Sequence, residues 1–163
     1  METTAQKEIV MIGCAANGSA QELAATYCEK LQSRFSLSYI RRMQKWEDPK
    51  EPSLVDENHV SLERQGVFQG LWELGEKHGT GMLVSLKAIP IRQEFIELAN
   101  VLDVNPYELP SKGGVLLAAE HGHQLVEKLQ EEGYEATVIG RFDKAKARLI
   151  VNGEEKRFLT PTR

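Results

Sequence analysis

A hydroxyl, a cation and two adjacent glycines stand together in Ser111-Lys112-Gly113-Gly114. Lysine supplies charge, serine a hydroxyl, and the glycines let backbone amides approach a ligand closely, so the group suits a phosphate or carboxylate. It lacks the trailing Lys-Ser/Thr and the spacing of a P-loop, and a tight turn into a buried strand accounts for the same residues. Arg64-Gln65-Gly66 is a second anion candidate, because it precedes an amphipathic stretch whose first amides would point at a ligand. A solvated turn is the alternative there. Glu120-His121-Gly122-His123 sets a carboxylate and two imidazoles just past a strand, where ligands gather in α/β proteins. A metal needs three or four converging groups, and no other histidine lies near in sequence, so the four read as a polar lead-in to a helix and no metal site is assigned. Cys14 and Cys28 fall on apolar faces and read as core thiols. His59 reads as a strand-edge residue and His78 as a helix-end residue, while Trp46 and Trp72 read as core or interface anchors. No Ser/His/Asp order or paired-carboxylate motif is present, and no catalytic residue is assigned.

These residues need elements to hold them. An apolar strand is expected within Lys7 to Ala16, ending at the turn Asn17-Gly18. Ser19 with Glu22 three residues on has capping-box spacing, opening a helix from Ala20 to about Arg34. A second helix, capped by Ser36, is expected from Leu37 to about Trp46, and the acidic, proline-bearing segment 47–58 reads as a loop. His59 to Glu63 is a weak strand. Val67 to Lys77 is the clearest amphipathic helix of the first half, with Phe68, Leu71, Trp72 and Gly75 recurring at helical spacing. Met82 to Leu86 alternates as a strand, and Arg92 to about Leu102 is helical. The turn-rich stretch Val104 to Gly114 then delivers the chain into Val115 to Ala119, an uninterrupted apolar run that reads as a strand buried on both faces near the middle of the sheet. A helix over His123 to Glu132 closes at Gly133, followed by a strand from Ala136 to Gly140. Asn152-Gly153 between Arg148–Val151 and Lys156–Leu159 is the strongest hairpin signal, with room for a bulge. Roughly five helices alternating with seven strands predict one α+β domain, a mixed sheet with helices packed on it.

At 163 residues the chain has room for one domain with a sizeable core. An apolar share of 41% beside a charged share of 27% is that of a globular protein. The net charge of −4 and pI near 5.6 give no basic footprint for nucleic acid. No apolar run approaches the roughly 20 residues that span a bilayer, and the polar start Met1-Glu-Thr-Thr lacks a signal-peptide core. With two cysteines and nothing pointing to export, the cytoplasm is the expected compartment.

Gln65-Gly-Val-Phe-Gln-Gly-Leu-Trp-Glu, Ile89-Pro-Ile-Arg-Gln-Glu, Asn105-Pro-Tyr-Glu-Leu and Val138-Ile-Gly-Arg occur in that order. At these separations they resemble the C-terminal domain of the aminoimidazole ribonucleotide synthetase (AIR synthase) superfamily, in its hydrogenase-maturation-factor-like branch. The ending Asn152-Gly-Glu-Glu-Lys-Arg-Phe-Leu-Thr-Pro resembles that branch as well. The resemblance implies an α/β sandwich with partial ferredoxin-like topology, spanning residues 1–163 as a single stand-alone domain. It also implies a partner, an N-terminal domain that supplies most of an ATP site and is missing from this sequence. Family members use ATP to phosphorylate an amide-type oxygen or a selenide.

The family segment Met-His-Asp-Val-Thr-Glu-Gly-Gly is here His59-Val-Ser-Leu-Glu-Arg-Gln-Gly, and a Gly-Leu-Glu-Gly-Thr pattern is here Ala16-Asn17-Gly18-Ser19. A carboxylate, a hydroxyl and glycines are lost together. The family's functional positions carry over only at Gly18, Ser19, Gly66, Ser111 and Gly113. Two expectations follow. One is a non-catalytic binding or assembly module, with a homodimer as its partner state and no cofactor of its own. The other is a separately encoded subunit that docks on an ATP-binding half, meets ATP and Mg only there, and positions a small anionic ligand with Arg64, Gln65, Gly66, Ser111, Lys112, Gly113 and Gly114.

Overall fold

The structure, a computed structural model, describes residues 7–47 and 59–161. The expected loop over 47–58 therefore lies outside the described residues, apart from Glu47.

Strand β1 (Glu8–Ile12) is apolar at consecutive positions because both of its faces are covered. Ile9 and Met11 enter one core cluster, and Val10 and Ile12 enter another, as the two-residue period of a strand requires. Helix α4 (Val67–His78) lies over the first face and α6 (Gly122–Glu131) over the second. Helix α4 comes close because Gly70 has no side chain, where a Cβ would press on Leu62 and on Leu116 Cδ1 at 3.1 Å. Helices α1 (Ser19–Thr26), α2 (Cys28–Leu31), α3 (Leu37–Gln44) and α5 (Gln93–Leu102) close a third cluster around Leu31, Ile40, Met43, Phe95 and Leu98.

Among the described residues the sheet holds seven strands, in the order β2-β4-β1-β5-β3-β6-β7. Its other members are β2 (Val60–Ser61), β3 (Gly81–Ser85), β4 (Val115–Ala119), β5 (Ala136–Asp143), β6 (Arg148–Asn152) and β7 (Glu155–Phe158). Only β3 and β6 run parallel among these neighbours. The architecture is the expected α+β arrangement of helices on a mixed sheet.

Four local expectations change. Strand β4 is buried on both faces at Val115, Leu116 and Leu117, but it lies next to the edge strand β2, and the middle of the sheet belongs to β5. The reason is that β1 inserts between β4 and β5 and takes both as antiparallel neighbours. The first helix bends at Tyr27, which is 44% exposed, although Tyr27 N–H to Leu23 O and Leu31 N–H to Tyr27 O remain at 2.9 Å. Ser19 does not cap that helix. Its hydroxyl donates to the Pro110 carbonyl at 2.7 Å, and Gln21 Oε1 accepts the Gly18 N–H at 2.7 Å. The hairpin carries no bulge. Asn152 pairs with Glu155, and Gly153 at φ 65° takes the positive dihedral that a two-residue turn needs.

Candidate functional site

Three loops meet beside β4 and bring together most of the residues singled out by sequence. They are residues 13–18 after β1, residues 62–66 between β2 and α4, and residues 109–114 before β4. Ser111 is wholly buried and lies opposite Gly18 in an isolated bridge. Its Oγ accepts the Ala16 N–H at 2.9 Å, and its own N–H donates to Leu62 O at 2.8 Å. The buried Asn17 reaches across to Lys112 twice, with its carbonyl accepting the Lys112 N–H at 2.9 Å and its Nδ2 donating to Lys112 O at 3.0 Å. Ala16 has a φ of 64°, unusual for a residue with a Cβ, and the Ser111 hydroxyl holds its amide in that conformation. Gly18 at φ 84° packs on the Lys112 side chain.

The amides of the Ser111–Gly114 loop have partners at every position. Gly113, at φ 77°, donates to Glu63 Oε1 at 2.9 Å, and Gly114 donates to Ser111 O at 3.0 Å. With Ser111 bonded to Leu62 and Lys112 to Asn17, each N–H of the four has an acceptor inside the protein. One acceptor is a carboxylate, which sits where an anionic ligand of the loop would. A phosphate of ATP docked on these amides would have to displace Glu63, so the loop as folded does not fit that group.

The second candidate divides. Gly66 is buried at the start of α4, and a Cβ there would run into the Tyr107 carbonyl and the Glu108 backbone. That close approach joins α4 to the turn at Asn105–Glu108, where Asn105 Oδ1 accepts the Tyr107 N–H at 2.9 Å and Tyr107 stacks on Phe68 with ring centres 5.3 Å apart. Gln65 turns away from the loop amides, donating to Ser61 O at 2.9 Å and Glu73 Oε2 at 2.7 Å. Arg64 is exposed.

The other marked residues are structural in their contacts. Glu8 Oε1 accepts the Gly122 N–H at 3.0 Å, and its second oxygen lies 3.4 Å from His123 Nε2, so the first turn of α6 meets a carboxylate from β1. Among the described residues no group of three metal-capable side chains exists. Cys14 is buried, and its thiol is pushed up to about 11 chiefly by desolvation, the opposite of an activated nucleophile. Cys28 is half-buried against the third cluster. Arg92 stacks over Trp46 at 4.1 Å and Arg148 over Trp72 at 4.6 Å, so both tryptophans serve as platforms for cations.

Sequence reasoning missed Glu63 and Asn17. Asn17-Gly18 carried a turn signal, but its burial follows from loop 109–114 folding over it, a contact about a hundred positions away. No local pattern marks Glu63 as the acceptor for Gly113.

No protein-family model matches this chain, and no curated protein matches it in sequence. Solved structures do match. The hydrogenase maturation protein HypE of E. coli superposes with a TM-score of 0.74 at 18% identity, over 98% of this chain and 51% of that one. The fold is that of the AIR-synthase-like proteins. HypE in complex with ATP matches with a TM-score of 0.71 at 15% identity, over 99% of this chain and 52% of the other. Thiamine-monophosphate kinase from Stenotrophomonas maltophilia K279a matches with 0.64 at 14%, over 94% and 52%. The chain thus spans about half the length of these solved structures, and at such identities the likeness is one of fold. Among the described residues no helix is long and apolar enough to cross a membrane.

Proposed function

We propose that this chain is a non-catalytic binding and assembly domain, cytoplasmic, built on the AIR-synthase-like scaffold. The observation that supports this reading is the closed loop Ser111–Gly114, whose amides are all engaged and whose Gly113 N–H holds the protein's own Glu63 carboxylate. Such a loop braces β4, α4 and the 13–18 turn against one another. The domain has no cofactor of its own, and its partner is another polypeptide.

A second reading is favoured by the extent of the match to HypE, which includes a structure with ATP bound. Here the chain is a separately encoded subunit that completes an ATP-dependent phosphoryl-transfer enzyme when docked on an ATP-binding half. Arg64, Lys112 and, once docking displaces Glu63, Gly113 would then position the anion on the loop that Ser111 anchors, a role that needs placement and charge rather than a nucleophile.

Thermal denaturation of the chain with saturating ATP-Mg, and separately with inorganic phosphate, tests the first reading. A ligand that binds only the folded state raises the melting temperature. An unchanged melting temperature is expected, and a saturable rise with either ligand overturns the non-catalytic reading in favour of the second.

A further inference from the structure

Strand β7 ends the sheet, and all four of its residues are exposed. Its inner side is bonded to β6 in a definite phase. Asn152 and Glu155 close a two-residue turn, and at the other end the Leu159 N–H donates to Arg148 O at 2.8 Å. In an antiparallel ladder, inward and outward residues alternate. Glu155 and Arg157 therefore spend their backbone groups on β6, while Lys156 and Phe158 direct theirs away from the sheet. Phe158 is 74% exposed, the most open of the large apolar side chains among the described residues. Behind it, Leu83, Leu149 and Val151 share the sheet face that α6 leaves uncovered, and all three are only half-buried.

Edge strands bearing lysine ordinarily resist pairing. The charge order here, Glu154-Glu155-Lys156-Arg157, makes one partner an exception. We propose that β7 pairs antiparallel with β7 of a second copy of this chain, about a two-fold axis at Lys156. This names the partner for the assembly reading and rests on it. A two-fold axis perpendicular to a sheet sets one residue opposite itself, and hydrogen bonding across the axis itself requires an outward-facing residue there. Lys156 satisfies this, its N–H and C=O bonding its own equivalent at the wider type of pair. The flanking positions then set Glu155 opposite Arg157 of the second copy, and Arg157 opposite its Glu155, at the closer type of pair where side chains interact most. Glu154 of the second copy falls opposite Phe158 and diagonal to Lys156, so the lysine at the axis has carboxylates on both sides. The aliphatic stems of Glu154 and Lys156 cover the Phe158 ring. The two Lys156 residues meet only at the wider pair, each with Glu154 carboxylates beside it. Centring the axis one position earlier would instead oppose Glu155 to Glu155 at the closer pair, where like charges cost most. An unrelated strand would lack the matching sign order.

Sedimentation equilibrium of the full chain over a wide concentration range tests this, with Glu155→Arg, Arg157→Glu and the double exchange E155R/R157E as variants. These positions are exposed, and far-UV circular dichroism with a thermal melt confirms that each variant folds. Wild type is expected to dimerise. Each single variant sets like charges opposite at both symmetric positions and is expected to weaken the dimer about tenfold or more. The double exchange restores both pairs with inverted order and is expected to recover dimerisation. A wild-type monomer at every concentration overturns the pairing. So does a dimer that all three variants leave unchanged, although that second result would keep an assembling domain and move its interface elsewhere. Neither outcome depends on the ATP-Mg and phosphate melts, which judge the non-catalytic reading separately.

Discussion

The Gly113 N–H donates to Glu63 Oε1 at 2.9 Å, joining residues 50 positions apart. This bond supplies an internal anion to a loop whose composition suits an external one. Replacing Glu63 by Ala removes the acceptor from an exposed position and is expected to cost about 1 kcal/mol, a drop of roughly 2–4 °C in melting temperature. It also leaves the Gly113 amide open. Inorganic phosphate is therefore expected to raise the melting temperature of Glu63→Ala and to leave that of Glu63→Gln, which keeps an oxygen acceptor, unchanged.

Gly66 separates a packing role from a ligand role. A methyl group there meets the Tyr107 carbonyl and the Glu108 backbone, which cannot swing aside as a side chain would. Gly66→Ala is expected to destabilise by about 3 kcal/mol, lowering the melting temperature by roughly 6–12 °C in differential scanning calorimetry. A variant as stable as wild type would show that α4 can move away from the Asn105–Glu108 turn.

Asp103 offers a stabilising change. It ends α5 in the left-handed region at φ 56°, exposed, and places a negative charge at the helix C-terminus. Glycine takes that conformation without Cβ crowding, and removing the charge relieves the unfavourable interaction with the helix dipole. Asp103→Gly is expected to gain about 1 kcal/mol in urea denaturation, with the slope unchanged.

His78 gives the fold a pH dependence of definite sign. Its ring lies 4.7 Å from that of Phe142, and its Nε2 is buried without a hydrogen-bond partner. Desolvation holds its pKa below the ordinary 6.5, and the charges of Lys7 and Lys77 act in the same direction. The unfolded chain therefore takes up this proton more readily than the folded one. The contribution is complete above the unfolded pKa and is lost as pH falls through it toward the folded value. Between pH 7 and pH 5 the melting temperature of wild type is expected to fall further than that of His78→Leu.

How much of this was legible depended on the range of the interaction. Helix α4 followed from the recurrence of Phe68, Leu71, Trp72 and Gly75, and the Ser36 cap from its neighbourhood, where its side chain accepts the Tyr39 N–H at 3.3 Å. The hairpin followed from Asn152-Gly153. Ser19 misled because its local signal was sound, yet the Pro110 carbonyl, 91 positions away, claimed the hydroxyl. The rank of β4 in the sheet could not be read from its apolar run, since a penultimate strand under two helices is as buried as a central one. The candidate residues at 18–19 and 111–114 do meet in one junction, whereas Gly66 packs on the Asn105–Glu108 turn. What joins them, the Asn17 side chain and the Glu63 carboxylate, has no local sequence signature.

Strand β1 pairs with residues 115–119 on one side and 136–141 on the other. Its partners are separated from it by about a hundred positions of chain, so a large loop must close before either ladder forms. High contact order of this kind slows folding toward the millisecond-to-second range. A nascent chain that stops short of Val115 leaves Ile9-Val10-Met11-Ile12 as an apolar segment with two unpaired edges, open to aggregation with its neighbours.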